Sequence, residues 1–272
     1  MEYVWKDKVA LITGAATGIG ALVTRYIMDE GIKHVAVLDV NEKAGISLQN
    51  ELNSKYGADK VKFYKCDVSN DDQLLGNFDA VLADQGTLDV VINNAGVMND
   101  GLHIYKKAIQ INVTALVTGT LRAMEIMGKD KGGKGGTVIN ISSIAGLCQS
   151  PLFPIYFGSK SAVLQFSNCI GMEQYYTKTG VRVITICFGA TDTPLLHTSN
   201  VGNFREDIEK TYPEELKAFP MQKPESAARG VVDVFKHGES GSTWIVTTNR
   251  PAKDITATVQ KAYALLTEHV FE

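Results

Sequence analysis

Short apolar runs alternate with longer helical patterns along most of this chain. Residues 9–12, 34–38, 61–65, 88–92, 137–142, 181–187 and 244–246 have the length and apolar content of buried strands. Between them, apolar positions return every three or four residues: through Met28, over 71–82, over 101–127, from Tyr156 to about 176 and over 225–235. An amphipathic stretch over 255–269 follows the last strand. Alternation of strand and helix predicts an α/β fold with a seven-stranded parallel sheet flanked by helices. Within 101–127 the apolar stripe is Ile104, Ala108, Ile111, Ala115, Thr118 and Leu121. The helix opened by Tyr156 is apolar on more than one face, which predicts burial against another subunit.

Gly132-Gly133-Lys134-Gly135-Gly136 looks like a linker, but it is too short to separate domains and leads straight into the strand at 137–142. It reads as a surface turn, so residues 1–272 are expected to form one domain. With 44% hydrophobic and 21% charged residues, the chain has ample material for a core. A net charge of −3 leaves no basic footprint, which argues against nucleic acid or an anionic membrane as partner. Cys66, Cys148, Cys169 and Cys187 lack metal-ligand spacing and predict neither a zinc site nor a disulfide framework. No apolar run reaches membrane-spanning length, and Lys6, Asp7 and Lys8 stand where a signal peptide needs an apolar centre. A cytoplasmic location is expected. The sequons at Asn112 and Asn140 lie in apolar surroundings and are expected to carry no sugar.

Candidate chemistry begins at the first strand. It runs into Thr13-Gly14-Ala15-Ala16-Thr17-Gly18-Ile19-Gly20 and then a helix, an order that aims backbone N–H groups at a pyrophosphate. The spacing is G-x-x-x-G-x-G, and a plain tight turn is the alternative. The second strand ends on Asp39, nineteen residues beyond Gly20, where a carboxylate accepts from ribose hydroxyls or caps the next helix. Ala15, Ala16, Val40 and Asn41 offer no charge to a 2′-phosphate, which favours NAD over NADP. Asp67, followed by Val68, either accepts from an adenine amino group or caps the helix near 71. The fourth strand ends in Asn93-Asn94-Ala95-Gly96, small enough to let backbone pass close to a cofactor and amide-rich enough to tie strands together.

The second cluster is Ser143, Tyr156 and Lys160. A phenol titrates near 10, too high for a base at neutral pH, and Lys160 lies four residues on, one helical turn away. Its ammonium is expected to lower the phenol by charge proximity, while Ser143 hydrogen-bonds a substrate oxygen.

Thr13-Gly14 through Gly20, an acid ending the second strand, the Asn-Asn-Ala-Gly run, Asn112, Ser143 and Tyr156-x-x-x-Lys160 together resemble the short-chain dehydrogenase/reductase family, in matching order from Lys8 to Pro194. Beyond Pro194 the likeness is to insect-type alcohol dehydrogenases, through Leu195-Leu196-His197-Thr198 and Gly241 to Val246. NAD-linked 15-hydroxyprostaglandin dehydrogenases and insect farnesol dehydrogenases are similar too. The resemblance implies a Rossmann-type doubly wound domain, a homodimer or homotetramer, and a metal-free hydride transfer. It makes Tyr156 the base, Lys160 its activator and nicotinamide-ribose ligand, and Asn112 the holder of a relay water. By the same resemblance Gly189, Thr191 and Thr193 contact the cofactor, although Phe188 stands where the family has Pro.

Residues 190–222 are expected to form a substrate lid. With Leu147, Leu152, Phe153, Phe188, Leu195 and Leu196 they would line an apolar pocket lacking an Arg cluster; His197 reads as a surface residue. The expected reaction is NAD-dependent oxidation of an apolar primary or secondary alcohol, farnesol-like by preference. The alternatives are a hydroxylipid dehydrogenase, a carbonyl reductase and, from another class, a non-catalytic dinucleotide sensor.

Overall fold

The structure, a computed structural model, describes residues 3–197 and 199–270. Thr198, part of the expected lid, lies outside them. In chain order the elements are β1 Val9–Thr13, α1 Gly18–Asp29, β2 His34–Asp39, α2 Glu42–Tyr56, β3 Val61–Lys65, α3 Asp71–Gln85 and β4 Val90–Asn93. Then come α4 Tyr105–Ile109, a π-helical turn Gln110–Thr114, α5 Ala115–Met127, β5 Gly136–Ser143, α6 Pro154–Ile170, α7 Glu173–Thr179 and β6 Val181–Phe188. The expected lid segment carries α8 Glu206–Glu209 and α9 Tyr212–Ala218, and the chain continues with α10 Pro224–His237, β7 Thr243–Val246, β8 Lys253–Asp254 and α11 Thr256–Thr267.

The sheet order is β3-β2-β1-β4-β5-β6-β7-β8, doubly wound about β1. Seven strands run parallel, as the apolar runs predict, and the eighth is antiparallel to β7. Sequence reasoning missed β8 because two exposed charged residues carry no periodicity. A reversal with left-handed Thr248 and Asn249, both at φ 56°, returns the chain along Trp244 and Ile245. Both faces of the sheet are covered. On one, Ala10 and Ile12 pack with α1, α2 and α10; on the other, Val9 and Leu11 pack with α3 and α5. Full burial on both faces is why these strands read as unbroken apolar runs.

Two expected helices are divided. The 101–127 helix begins at Tyr105 and carries the π turn around Asn112. The helix from Tyr156 stops at Ile170; Gly171 packs so closely on Gly241 that a Cβ would lie 2.6 Å from the Gly241 nitrogen, and Met172 turns extended, at ψ 157°, before α7 begins. No helix among the described residues is long and apolar enough to cross a membrane. Asn112 and Asn140, the two sequon asparagines, are buried at 2% and 0% exposure.

Candidate functional site

Parallel strands end together, and ligands of such sheets sit beyond those ends where the strand order reverses. Here that place is a cavity of about 750 Å³ running from the glycine turn after β1 to the lid.

Its first half fits a dinucleotide. Gly14 and Gly18 hold φ of 63° and 56°, a region that side chains disfavour. A Cβ on Gly14 would meet the Ala95 Cα at 2.8 Å, whereas one on Gly18 would meet nothing nearer than Thr193 at 3.8 Å. The turn is therefore pinned on its inner side and bare towards the cavity. Gly20 is small for a different reason. A Cβ there would strike the Gly14 carbonyl at 2.5 Å, so this glycine seats α1 on the turn and does not line the cavity. Thr17, Ile19, Val68, Ala95 and Gly96 line it as expected. The Asn94 amide donates to Thr13 O (3.0 Å) and Gly14 O (2.9 Å), tying β4 to the turn, and Asn93 donates to Asn140 across β5.

Asp39 faces the cavity; its oxygens accept from Ala16 N and Asn41 N at 2.9 Å each, which leaves lone pairs for ribose hydroxyls. Lys65, its register partner on β3, is drawn to Glu42 at 3.0 Å. Asp67 also lines the cavity but does not cap α3 with its side chain. Asn70 does that, accepting from Gln73 N, while the Asp67 carboxylate takes Ser69 and an ion pair with Lys107 at 2.9 Å.

At the other end β5 delivers Ser143 and α6 delivers Tyr156 and Lys160. Ser143 Oγ donates to Phe188 O (3.3 Å) and accepts from Ala145 N (3.1 Å), and it stands near enough to Tyr156 to favour its phenolate. Lys160 Nζ donates to Ile141 O (3.1 Å) and lies 5.7 Å from the centre of the Tyr156 ring. Burial pushes the phenol up to about 12 against the pull of Ser143, and burial pushes the Lys160 ammonium down to about 8. The expected lowering of Tyr156 by Lys160 is thus not what the protein groups alone produce. Desolvation of a phenolate wins when the ammonium is itself desolvated and bonded elsewhere.

Asn112 sits where the π turn opens the helix. Its amide donates to Val97 O (2.8 Å) and to Ser159 Oγ (3.2 Å), and its oxygen accepts from Val97 N (2.9 Å). A Cβ on Gly96 would lie 3.4 Å from that oxygen and 3.6 Å from Lys160 Nζ, so the amide and the ammonium converge on one glycine. Gly189 is fixed by packing, since its Cβ would overlap Thr247 Oγ1 at 2.1 Å. Thr191 bonds Gly189 O and Gln222, and Thr193 abuts the Gly18 turn.

From the expected lid, Val201 and Tyr212 pack over Tyr156 together with Met98, Leu152 and Phe153, and Phe153 and Tyr212 lie edge to face at 5.2 Å. Leu195 and Leu196 line the cavity as expected, and Phe188 does too while also packing in the core beneath α1 and α10. Leu147 does not. The short turn Ile144–Gly146 packs its glycine on Lys160 O, turns Ala145 inward and leaves Leu147 at the surface, 37% exposed. His197 is exposed and outside the lining. Sequence reasoning missed Tyr212 and Leu216 as pocket residues, yet Tyr212, Leu216 and Phe219 carry helical spacing that could have revealed them. Met98 and Phe157 carried no signal.

Comparison with known proteins adds the family. A sequence model of the short chain dehydrogenase family matches residues 8–203. The chain is 35% identical over 237 residues to 15-hydroxyprostaglandin dehydrogenase [NAD(+)] of Mus musculus, covering 84% of this chain and 85% of that protein. It is 32% identical over 240 residues to alcohol dehydrogenase 1 of Ceratitis capitata, covering 88% and 91%. An NADPH-dependent 3-quinuclidinone reductase from Rhodotorula rubra shares the fold with a TM-score of 0.74 at 24% identity, covering 90% and 92%.

Proposed function

Because the chain belongs to the short-chain dehydrogenase family, we propose that it oxidises a neutral, apolar primary or secondary alcohol to the aldehyde or ketone with NAD, a farnesol-like isoprenoid alcohol being the favoured substrate. The observation that carries this reading is the meeting of Tyr156, Ser143 and Lys160 under an apolar lid at the end of the cavity. Bound NAD supplies the hydride acceptor, and its nicotinamide cation supplies the charge that favours a phenolate. Tyr156 Oη takes the hydroxyl proton, and Ser143 Oγ orients the substrate oxygen. Lys160 holds the nicotinamide ribose, and Asn112 holds the water through which Lys160 exchanges protons with solvent. Asp39 takes the adenosine ribose and disfavours a 2′-phosphate, consistent with relatives named for NAD(+). The same reading makes the protein a cytoplasmic homodimer or homotetramer.

A hydroxylipid dehydrogenase is the second reading, favoured by the relatives named 15-hydroxyprostaglandin dehydrogenase. Against it, Lys160 is the only cationic side chain among the described residues lining the cavity, so a substrate carboxylate would have to stay in water at the mouth. The test is NADH absorbance with primary alcohols from hexanol to farnesol, secondary alcohols and hydroxylated fatty acids, each with NAD and with NADP. Turnover of the neutral apolar alcohols with NAD is expected. No reduction of NAD by any of them would end the proposal, and a clear preference for the fatty acids would select the second reading.

A further inference from the structure

Asp100 is the one carboxylate that the fold buries among the described residues, at 1% exposure. Helix α6 opens on Pro154, which has no N–H, and Phe153 at its cap position supplies no side-chain bond. The first two free amides of the helix, Ile155 N and Tyr156 N, instead donate to the two oxygens of Asp100 at 2.7 and 3.0 Å. A carboxylate is well placed at a helix N-terminus, and each of these bonds is charge-assisted. The backbone of the same residue faces the other way: Asp100 N donates to Gly202 O of the lid at 2.8 Å. Its neighbour Asn99 donates to Asn200 O at 3.2 Å, and a Cβ on Gly202 would lie 2.7 Å from the Asn99 oxygen. Asn203 completes the seam by donating to Leu152 O, just ahead of α6.

We propose that Asp100 is a positioning residue that couples the seating of lid segment 200–203 to the first turn of α6, and so to the placement of the Tyr156 phenol. The claim rests on the reading of Tyr156 as the base. Its physical ground is that a buried carboxylate cannot part from its donors cheaply. When the lid segment lifts, the 99–101 turn moves with it, and the amides of Ile155 and Tyr156 lose their acceptors together. When the lid seats, the phenol's helix is fixed. Opening of the lid and loosening of the catalytic turn are then one event.

Amide hydrogen exchange on the full chain tests this with Asp100→Asn, which keeps the size and one acceptor, and with Asn203→Ala, which frees the lid from the opposite side. Exchange at residues 155–157 and at 200–203 should accelerate together in both variants, by about tenfold or more. For Asp100→Asn, kcat on an alcohol the parent oxidises should fall about tenfold while the KM for NAD stays within about twofold. Faster exchange at only one of the two places, in either variant that folds, overturns the coupling. Joint acceleration with kcat unchanged overturns the positioning of the phenol. If the parent oxidises no alcohol at all, the reading of Tyr156 fails on its own, and the exchange result still decides the coupling.

Discussion

Replacing Tyr156 with Phe separates chemistry from packing. The ring is 8% exposed and packs among Met98, Ala145, Leu152, Phe153, Val201 and Tyr212, with the Phe157 ring edge-on at 6.4 Å. Phe keeps those contacts and loses only the hydroxyl beside Ser143. Ser143 retains Ala145 N and Phe188 O, so no buried polar atom is stranded. One neutral hydrogen bond is worth about 0.5–1.5 kcal/mol net, and stability should change by no more than about 1 kcal/mol. Loss of a general base costs about 10²–10⁴ in rate, which at 1.36 kcal/mol per decade is about 3–5.5 kcal/mol of barrier. The assays are NADH formation on an alcohol the parent oxidises, NADH binding by fluorescence, and thermal unfolding. Expected are a near-parental melting temperature, parental NADH affinity, and turnover reduced by at least about two decades. In the parent, the phenolate share grows as pH rises towards the elevated phenol pKa, so oxidation should quicken with pH. The residual rate of the Phe variant should lose that slope. Turnover within about threefold of the parent, with the slope intact, would refute Tyr156 as the base.

Asp39→Asn removes the charge that opposes a 2′-phosphate; the KM for NAD should rise about tenfold and the NADP-to-NAD ratio of kcat/KM should climb, whereas an unchanged ratio would contradict the assignment. His34 is buried at 1% exposure, its Nδ1–H satisfied by Asp59 O and its Nε2 without a partner, and burial holds its pKa below the ordinary value. Below about pH 6.5 the unfolded chain binds the extra proton first, so stability falls as pH drops; melting temperatures of His34→Gln should fall less between neutral and about pH 5. Arg182 at the start of β6 donates to Thr137 Oγ1, Phe235 O and Gly238 O and stacks on Tyr3. Arg182→Met strands those acceptors and should lower stability by roughly 3 kcal/mol in urea unfolding, with the KM for NAD untouched because the cavity lies at the far end of the strand.

The cofactor half of the site was legible because its constraints are local and act on backbone. A turn that must carry φ above zero at Gly14 and Gly18 and meet Ala95 closely writes itself as glycines at fixed spacing beside an apolar strand. Six of the strands were located to within a residue at each end, and for β1, β2 and β6 the reason is that burial on two faces leaves a nearly unbroken apolar run; β3 keeps Lys62 and Lys65 exposed. Even so, the glycines did not all mean one thing. Gly18 is bare towards the cavity, but Gly20 and Gly189 are small because Gly14 O and Thr247 need the room.

The half of the cavity proposed for substrate is assembled from the loop after β4, the turn after β5, the start of α6 and the expected lid segment, and each contributes apolar side chains of a kind found in any core. Nothing in Met98 or Phe157 distinguishes pocket from packing until the chain is folded, and Leu147 shows the converse, an apolar residue in the right neighbourhood that a three-residue turn sends outward. Electrostatics were hidden for a related reason. Tyr156 and Lys160 at helical spacing suggest an ammonium lowering a phenol, but the sign depends on how dry the pair is and where the ammonium donates. Here both are buried, Lys160 donates to Ile141 O, and each group is driven towards its neutral form. At neutral pH a site so arranged keeps the phenol protonated, while Lys160, lowered only to about 8, still carries its charge. Under the proposed function, the further charge that tips Tyr156 towards phenolate comes from what binds beside it, and the chemistry of this pair would be tied to an occupied cofactor cleft.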